Sequence, residues 1–556
     1  MLLEVVKPRQ NSKISEFSTI LTSLKGSENS PVTKQTSAWQ DSLRALDSSV
    51  STEMSNKCAV CKKSATQTCS ACGQVFYCAR EHQKQDWKQH KKFCVPFKIT
   101  TDEVLGRCVV ATRNLRPGEV IMKQAPLILG PKVVSAPLCL SCHKKLNLEE
   151  KARYECDKCK WPLCGQECEA SPLHQAECQV FAQAEFVPTV KSDNSRQPVY
   201  SSIAPLRALL LKRDHPEKFK ILRQCQSHLS EHLATPVYQI LRNNLVSFFI
   251  DVLKMDTDET EILTICSIFD TNCFDVRNPK GTVNVRGLYP TISLLSHDCK
   301  QNTRHSFHGD DFHLLLTATV PIKKGELITT TYTQTLWGTL TRRAHLKMSK
   351  HFDCTCDRCK DPTELGSYVG AVNCTECGDG SKIVSCNPLD KAADWKCQKC
   401  GFVIEGKEMV WGTDFLKDEI SKLDKRDPKG FEEFLVKYKE TLHQKNSFCL
   451  QVKYALIQMY GSLEGYRLAD LSDELLERKI QLCQELLEVA DILEPGHSRF
   501  RGSLLYDLHE AMMVQVRRGG GEGVEDKAKS CLKEAAVILD TEPDFKEIVR
   551  KKLESL

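Results

Sequence analysis

The chain has 556 residues, 41% of them hydrophobic, and its 77 Lys and Arg against 72 Asp and Glu give a formal net charge of +5. Such a length exceeds a single core and fits roughly three to five domains, while the near balance of charge excludes a whole-molecule field drawing it to nucleic acid or membrane. No apolar run nears the roughly 18 residues a bilayer span needs, and MLLEVVKPRQ breaks with Glu4 and Pro8 before a signal-peptide core forms. An intracellular protein of the cytoplasm, the nucleus or both is expected, with no membrane partner. In that setting 29 cysteines point to metal binding rather than disulfides.

Residues 1–56 are rich in Ser, Thr, Lys and Gln, which predicts disorder; the alternative is a short helix over 38–48. Residues 57–98 supply Cys58, Cys61, Cys69, Cys72, Cys78, His82, His90 and Cys94, eight ligands within 37 positions. That number fits two tetrahedral zinc ions, with CxxC turns aiming paired thiolates and one-turn spacings placing two ligands on one helical face. The same segment carries nine Lys or Arg against Glu81 and Asp86, which suits an acidic protein, nucleic acid or merely a solvated face.

In GRCVVATRNLRPGEVIMKQAPLILGP, residues 106–131, alternating apolar positions and the RPGE turn predict a β-hairpin followed by another strand. The ligand order then repeats in Cys139, Cys142, Cys156, Cys159, Cys164, Cys168, His174 and Cys178. Further on, ISLL reads as a buried strand running into SHDCKQN, and FHLLLTATV as an alternating strand. CTCDRC offers three thiolates, Cys354, Cys356 and Cys359. A structural zinc takes four ligands, so Cys299 is the candidate fourth; a buried free cysteine is the alternative. Cys374, Cys377, Cys397 and Cys400 have the spacing of a zinc ribbon, with Cys386 between them a spectator. If every set is filled, six zinc ions are held. Beyond 404 the pattern turns helical. Phe431, Phe434, Leu435, Tyr438 and Leu442 share one helical face, Val452, Leu456, Met459 and Tyr460 the next, and EPGH and GGGEG mark breaks.

Taken in order, GRC, GLYPTISLLSHDCKQN, the GELITTTYT strand and CTCDRC resemble the SET and MYND domain-containing (SMYD) protein family, with an arthropod-type, SmydA-like character. FYCAREHQKQDWKQH is similar to the MYND finger, with Trp87 at the family's aromatic position and His82 where Cys is more usual. The resemblance implies an α+β multidomain chain: a β-rich SET fold with MYND, post-SET and zinc-ribbon modules and an all-α TPR-like C-terminal domain. Its boundaries would be a first MYND finger at 57–98, SET N-terminal part at 100–138, second MYND-type finger at 139–178, helical insertion at 179–284, SET core at 285–345, post-SET clip at 346–362, ribbon at 370–403 and helical tail at 404–556. The family's cross-braced pairing implies four ion sites: Cys58, Cys61, Cys78 and His82; Cys69, Cys72, His90 and Cys94; Cys139, Cys142, Cys164 and Cys168; and Cys156, Cys159, His174 and Cys178.

The resemblance further implies S-adenosyl-L-methionine as cofactor alongside zinc, a lysine-bearing protein or peptide substrate, proline-containing partner peptides on the MYND fingers, and a monomer. Tyr332 takes the active-site tyrosine position; a core tyrosine is the alternative. Gly106, Arg107, Asn272, Ser296, His297, Tyr332 and Phe352 take the cofactor-binding positions, although Phe352 beside a zinc clip also reads as packing. Two departures stand out. Ser296 replaces the family asparagine, offering one hydroxyl where an amide offers both donor and acceptor, and Cys108 stands where a second glycine is common. A lysine methyltransferase is the expected function, with a catalytically weak MYND adaptor, for example in transcriptional repression, as the rival.

Overall fold

The computed structural model describes residues 57–72, 75–91, 94–148, 154–191, 196–278, 283–378 and 380–555; the expectations for 1–56 lie outside them. Phe97–Asp102 pairs antiparallel with Gly106–Ala111. Asp102 Oδ1 accepts the N–H groups of Val104 and Leu105 at 2.8 and 2.9 Å, and Gly106 takes φ +69°, a conformation that a β-carbon opposes. The chain therefore reverses before RPGE, and the predicted hairpin across RPGE does not form. Val120–Gln124 instead pairs with His313–Ala318, which in turn pairs with Thr303–His308. The reason is a second turn, distant in sequence, that captures the first: Leu115 and Ile322 exchange backbone bonds at 2.8 and 3.1 Å, and the Gly325 N–H donates to Ala111 at 2.8 Å.

A third sheet places Asn284–Leu288 between Ile128–Pro131 and Cys273–Arg277. The strand predicted for ISLL is absent, because Ile292–Leu294 is a 3-10 turn. Gln124 Oε1 accepts the N–H groups of Thr291 and Ile292 at 3.2 Å each, which removes the donors a neighbouring strand would need. Strand structure resumes only at Ser296–His297, running parallel to Thr329–Thr330. Asn302 locks this crossing with both ends of its amide: Nδ2 donates to Leu327 O at 2.8 Å, and Oδ1 accepts the Thr329 N–H at 2.8 Å.

Helices Tyr200–Asp214 and Glu259–Asn272 bury Ile203, Leu206, Ile265 and Phe269 in one core with Val109, Ile128, Val285 and Leu316. Cys139, Cys156, Cys159 and Trp161 of the second ligand set belong to this core as well. The first set has a small interior of its own around Cys58, Ala65, Cys69, Cys72 and Tyr77. A four-stranded antiparallel sheet from Val372 to Ile404 shares its core with the tail helices through Trp395, Phe431, Phe448 and Leu456. Helix Pro428–Lys437 stops short of the predicted face. Tyr438 ends it, and Leu442 leaves the helix to bridge Val372, with Asn373 N–H donating to Thr441 O at 2.9 Å. The ribbon sheet thus diverts the chain.

EPGH does break the tail, between helices Asp473–Leu493 and Arg499–Arg517. It also seats the tail at the end of strand His313–Ala318. A β-carbon at Gly496 would lie 2.2 Å from the Thr319 carbonyl oxygen, and the His497 N–H donates to that same oxygen at 2.8 Å. Arg304 adds a buried bond to Glu542 at 2.7 Å. Among the described residues no helix is long and apolar enough to cross a membrane.

A buried charge triad ties helix Thr339–Lys350 to the segment after it. Glu364 Oε2 accepts from Arg342 at 2.6 Å and from Arg358 at 3.1 Å, and Oε1 accepts the Thr339 N–H at 2.8 Å. Removing a partner from a buried ion pair strands uncompensated charge, so Glu364→Ala is expected to lower stability by about 3–5 kcal/mol. Urea unfolding followed by fluorescence would check this against Lys407→Ala, whose exposed pair with Glu405 should leave the unfolding midpoint nearly unmoved.

Candidate functional site

Six groups of thiols and imidazoles converge. In the first finger, helix Arg80–His90 carries His82 and His90 to its two ends. His82 Nδ1 lies 3.4 Å from Cys58 Sγ and 3.1 Å from Cys78 Sγ, and Cys61 lies 3.4 Å from Cys78. His90 Nε2 is 3.4 Å from Cys72, and Cys69 is 3.6 Å from Cys94. Tyr77 fixes the helix by donating to Asp86 at 2.7 Å. In the second finger, Ser171 Oγ caps helix Pro172–Gln183, which carries His174 and Cys178. The two groups there are Cys139, Cys142, Cys164 and Cys168, and Cys156, Cys159, His174 and Cys178. In the ribbon, Cys374 lies 3.6 Å from Cys400 and Cys377 3.8 Å from Cys397, while Cys386 is exposed apart from them.

The group at Cys299 has a different surrounding. Cys299, Cys354, Cys356 and Cys359 have their sulfurs within 4.8 Å of one another, and two buried guanidiniums face them. Arg342 Nε donates to Cys299 Sγ at 3.2 Å and Nη2 to Cys359 Sγ at 3.5 Å, while Arg358 donates to the Cys299 carbonyl at 3.3 Å. Neutral thiols would give these cations little. Four thiolates around Zn²⁺ carry two net negative charges, which two arginines offset and Glu364 partly restores, so the donor set and its surroundings fit zinc.

His297 joins this group to the candidate methyl-transfer site. The Tyr332 N–H donates to His297 Nδ1 at 3.0 Å, and Nε2 lies 3.2 Å from Cys299 Sγ. Burial pushes the imidazole down to about 4, so the ring is neutral near pH 7; with Nδ1 accepting, Nε2 carries the proton and points it at sulfur. The His297 ring stands 5.3 Å from Tyr332 and 5.9 Å from Phe352. The Tyr332 hydroxyl donates to the Leu295 carbonyl.

The other candidate cofactor residues are distributed as follows. Gly106 leaves open space where a β-carbon would stand. Arg107 donates to Gln224 O at 2.8 Å. Cys108 is buried in register with Thr100. Asn272, at the end of its helix, spends its amide on the carbonyls of Gln226 and Ile268, each at 2.7 Å. Ser296 stands opposite Thr329 in the parallel pair, and it is Asn302 that locks the strand crossing. Tyr332, His297 and Phe352 stand together as electron-rich rings, a surface whose chemistry suits a sulfonium, while Gly106 keeps clearance in its own turn.

Sequence reasoning missed the arginine cage, Asn302 and Lys350. The Lys350 ammonium lies 5.5 Å from the Tyr332 ring centroid. Its position two residues before Phe352 was the available signal. For the metal group, Cys299→Ser is expected to lower the zinc content by one ion per chain and leave the other sets filled, as read by elemental analysis of the folded protein.

The MYND finger family matches residues 58–94 and the SET domain family residues 106–333. SET domain-containing protein SmydA-8, isoform A, of Drosophila melanogaster is 30% identical over 328 residues, covering 58% of this chain and 69% of its own length. Histone-lysine N-methyltransferase ASHR1 of Arabidopsis thaliana is 29% identical, covering 55% and 64%, and human histone-lysine N-methyltransferase SMYD3 is 28% identical, covering 46% and 59%. With both modules in place and this degree of likeness to the fly protein, the chain belongs to the SMYD family of SET and MYND domain proteins and is SmydA-like in character.

Proposed function

We propose that this chain is a protein-lysine N-methyltransferase using S-adenosyl-L-methionine, with zinc in a structural role. The observation that carries the reading is the route from Cys299 through His297 to Tyr332, which makes the metal clip a wall of an aromatic site. Gly106, Arg107, Asn272, Ser296, His297 and Phe352 would hold the cofactor. When bound, it supplies a methyl group whose transfer to a lysine amine forms an N–C bond, breaks the S–C bond and leaves a neutral thioether.

The chain's own residues align and shield. Burial pushes the Tyr332 phenol up to about 12, so it stays protonated near neutral pH. With its proton on Leu295, its lone pairs face outward to accept an N–H from the incoming amine. Phe352 and His297 close the site against water, and the backbone N–H of Tyr332 on His297 fixes the ring's angle. The substrate, histone or other protein, would reach this site between the SET core and the TPR-like tail.

A second reading is favoured by the first finger. It has its own interior, and Trp87 is 43% exposed at an edge of His90, a face suited to a proline-containing peptide. On that reading the chain is an adaptor that binds partners with little catalysis. Calorimetric titration with S-adenosylmethionine separates the two, since absence of binding at millimolar cofactor rejects the enzyme.

Tyr332→Phe is expected to slow methyl transfer about 100-fold with zinc content unchanged; undiminished turnover removes that hydroxyl from the mechanism. Ser296→Asn should tighten cofactor binding about tenfold by restoring one amide bond, as read by the same titration.

A further inference from the structure

Lys350 ends helix Thr339–Lys350 and turns its amine back under the clip. Its Nζ donates to the Thr271 carbonyl at 2.6 Å and lies 3.5 Å from that of Asp270, with the face of Tyr332 at 5.5 Å. The carboxylate nearest in the chain's course, that of Asp270, is shared between the Tyr238 hydroxyl at 3.1 Å and Arg286 at 3.4 Å. On the same side His351 lies 5.3 Å from His228 and 4.7 Å from His232 between ring centroids, and imidazoles bring no negative charge. Two backbone carbonyls and a π face solvate this ammonium at close range, with the Cys273 thiol and the Asp270 carboxylate as its more distant electrostatic partners.

We propose that Lys350 is a charge-selecting residue of the methyl-transfer site: its ammonium holds the Tyr332 face, disfavouring the positively charged sulfonium donor relative to the neutral thioether product. This rests on the reading of Tyr332 as part of that site. Like unit charges that share one partly buried site at an effective dielectric near 20 repel enough to weaken binding by about an order of magnitude. The thioether has no charge for the ammonium to repel. A donor must therefore displace the Lys350 side chain or bind against it.

The test is calorimetric titration of the zinc-loaded 556-residue chain with S-adenosylmethionine and, separately, with S-adenosylhomocysteine. Lys350→Met, with Lys350→Gln as a second neutral variant, is expected to tighten S-adenosylmethionine binding roughly tenfold while S-adenosylhomocysteine changes less than about threefold. Lys350→Arg should keep the wild-type ratio. Parallel shifts of both ligands, or an Arg variant that behaves like the Met variant, would show that Lys350 only props the carbonyls of Asp270 and Thr271 and would overturn the proposal. Binding of neither ligand to wild type or variants would reject the methyl-donor reading itself, and the charge selection with it.

Discussion

The constraint on which the site depends is the demand of four crowded sulfurs for positive charge. Thiolates within bonding reach of one ion repel one another until a metal binds, and at Cys299 the protein adds Arg342, Arg358 and the His297 N–H as further donors. Glu364 keeps the two guanidiniums from repelling each other. Metal groups commonly carry contacts beyond their ligands, and here those contacts run through His297 to the backbone of Tyr332 and the ring of Phe352. The clip and the aromatic rings are thereby tied through His297.

The strands around it serve the same end by an unusual route. A parallel pair only two residues long is weak by itself, and Asn302 supplies the bonds that length does not. The paired turns at RPGE and KKGE bring the two halves of the SET fold together across the large insertion. The tail then lies on Thr319 through Gly496 and His497. Segments far apart in the chain thereby share one frame, with the site at its centre.

Much of this was legible in the sequence where chemistry is local. CxxC spacing announces a metal turn whatever surrounds it, and the six ligand groups assemble from residues whose types and intervals already mark them. The hairpin across RPGE was misread because alternation reports which face is buried, not which strand is the partner; Asp102 made an earlier turn. ISLL looked like a strand because an apolar run does not reveal that Gln124, far upstream, takes its N–H groups. Leu442 kept helical spacing while the ribbon sheet pulled it away. Arg342, Arg358 and Glu364 look like ordinary surface charges until a three-dimensional neighbour removes their water, and Lys350 becomes informative only once Tyr332 is seen beneath it.

The two fingers share a ligand order but not a setting. The second is embedded in the main interior with Trp161 and Cys159, whereas the first keeps a miniature interior of its own and touches the SET strands through Thr112 and Arg113 on the carbonyls of Cys72 and Ala71. Metal scarcity would consequently act in stages. Stripping the outer module forfeits only its small nucleus, while stripping the inner one opens the shared interior, so the outer finger is the first part to unfold and the main core the last.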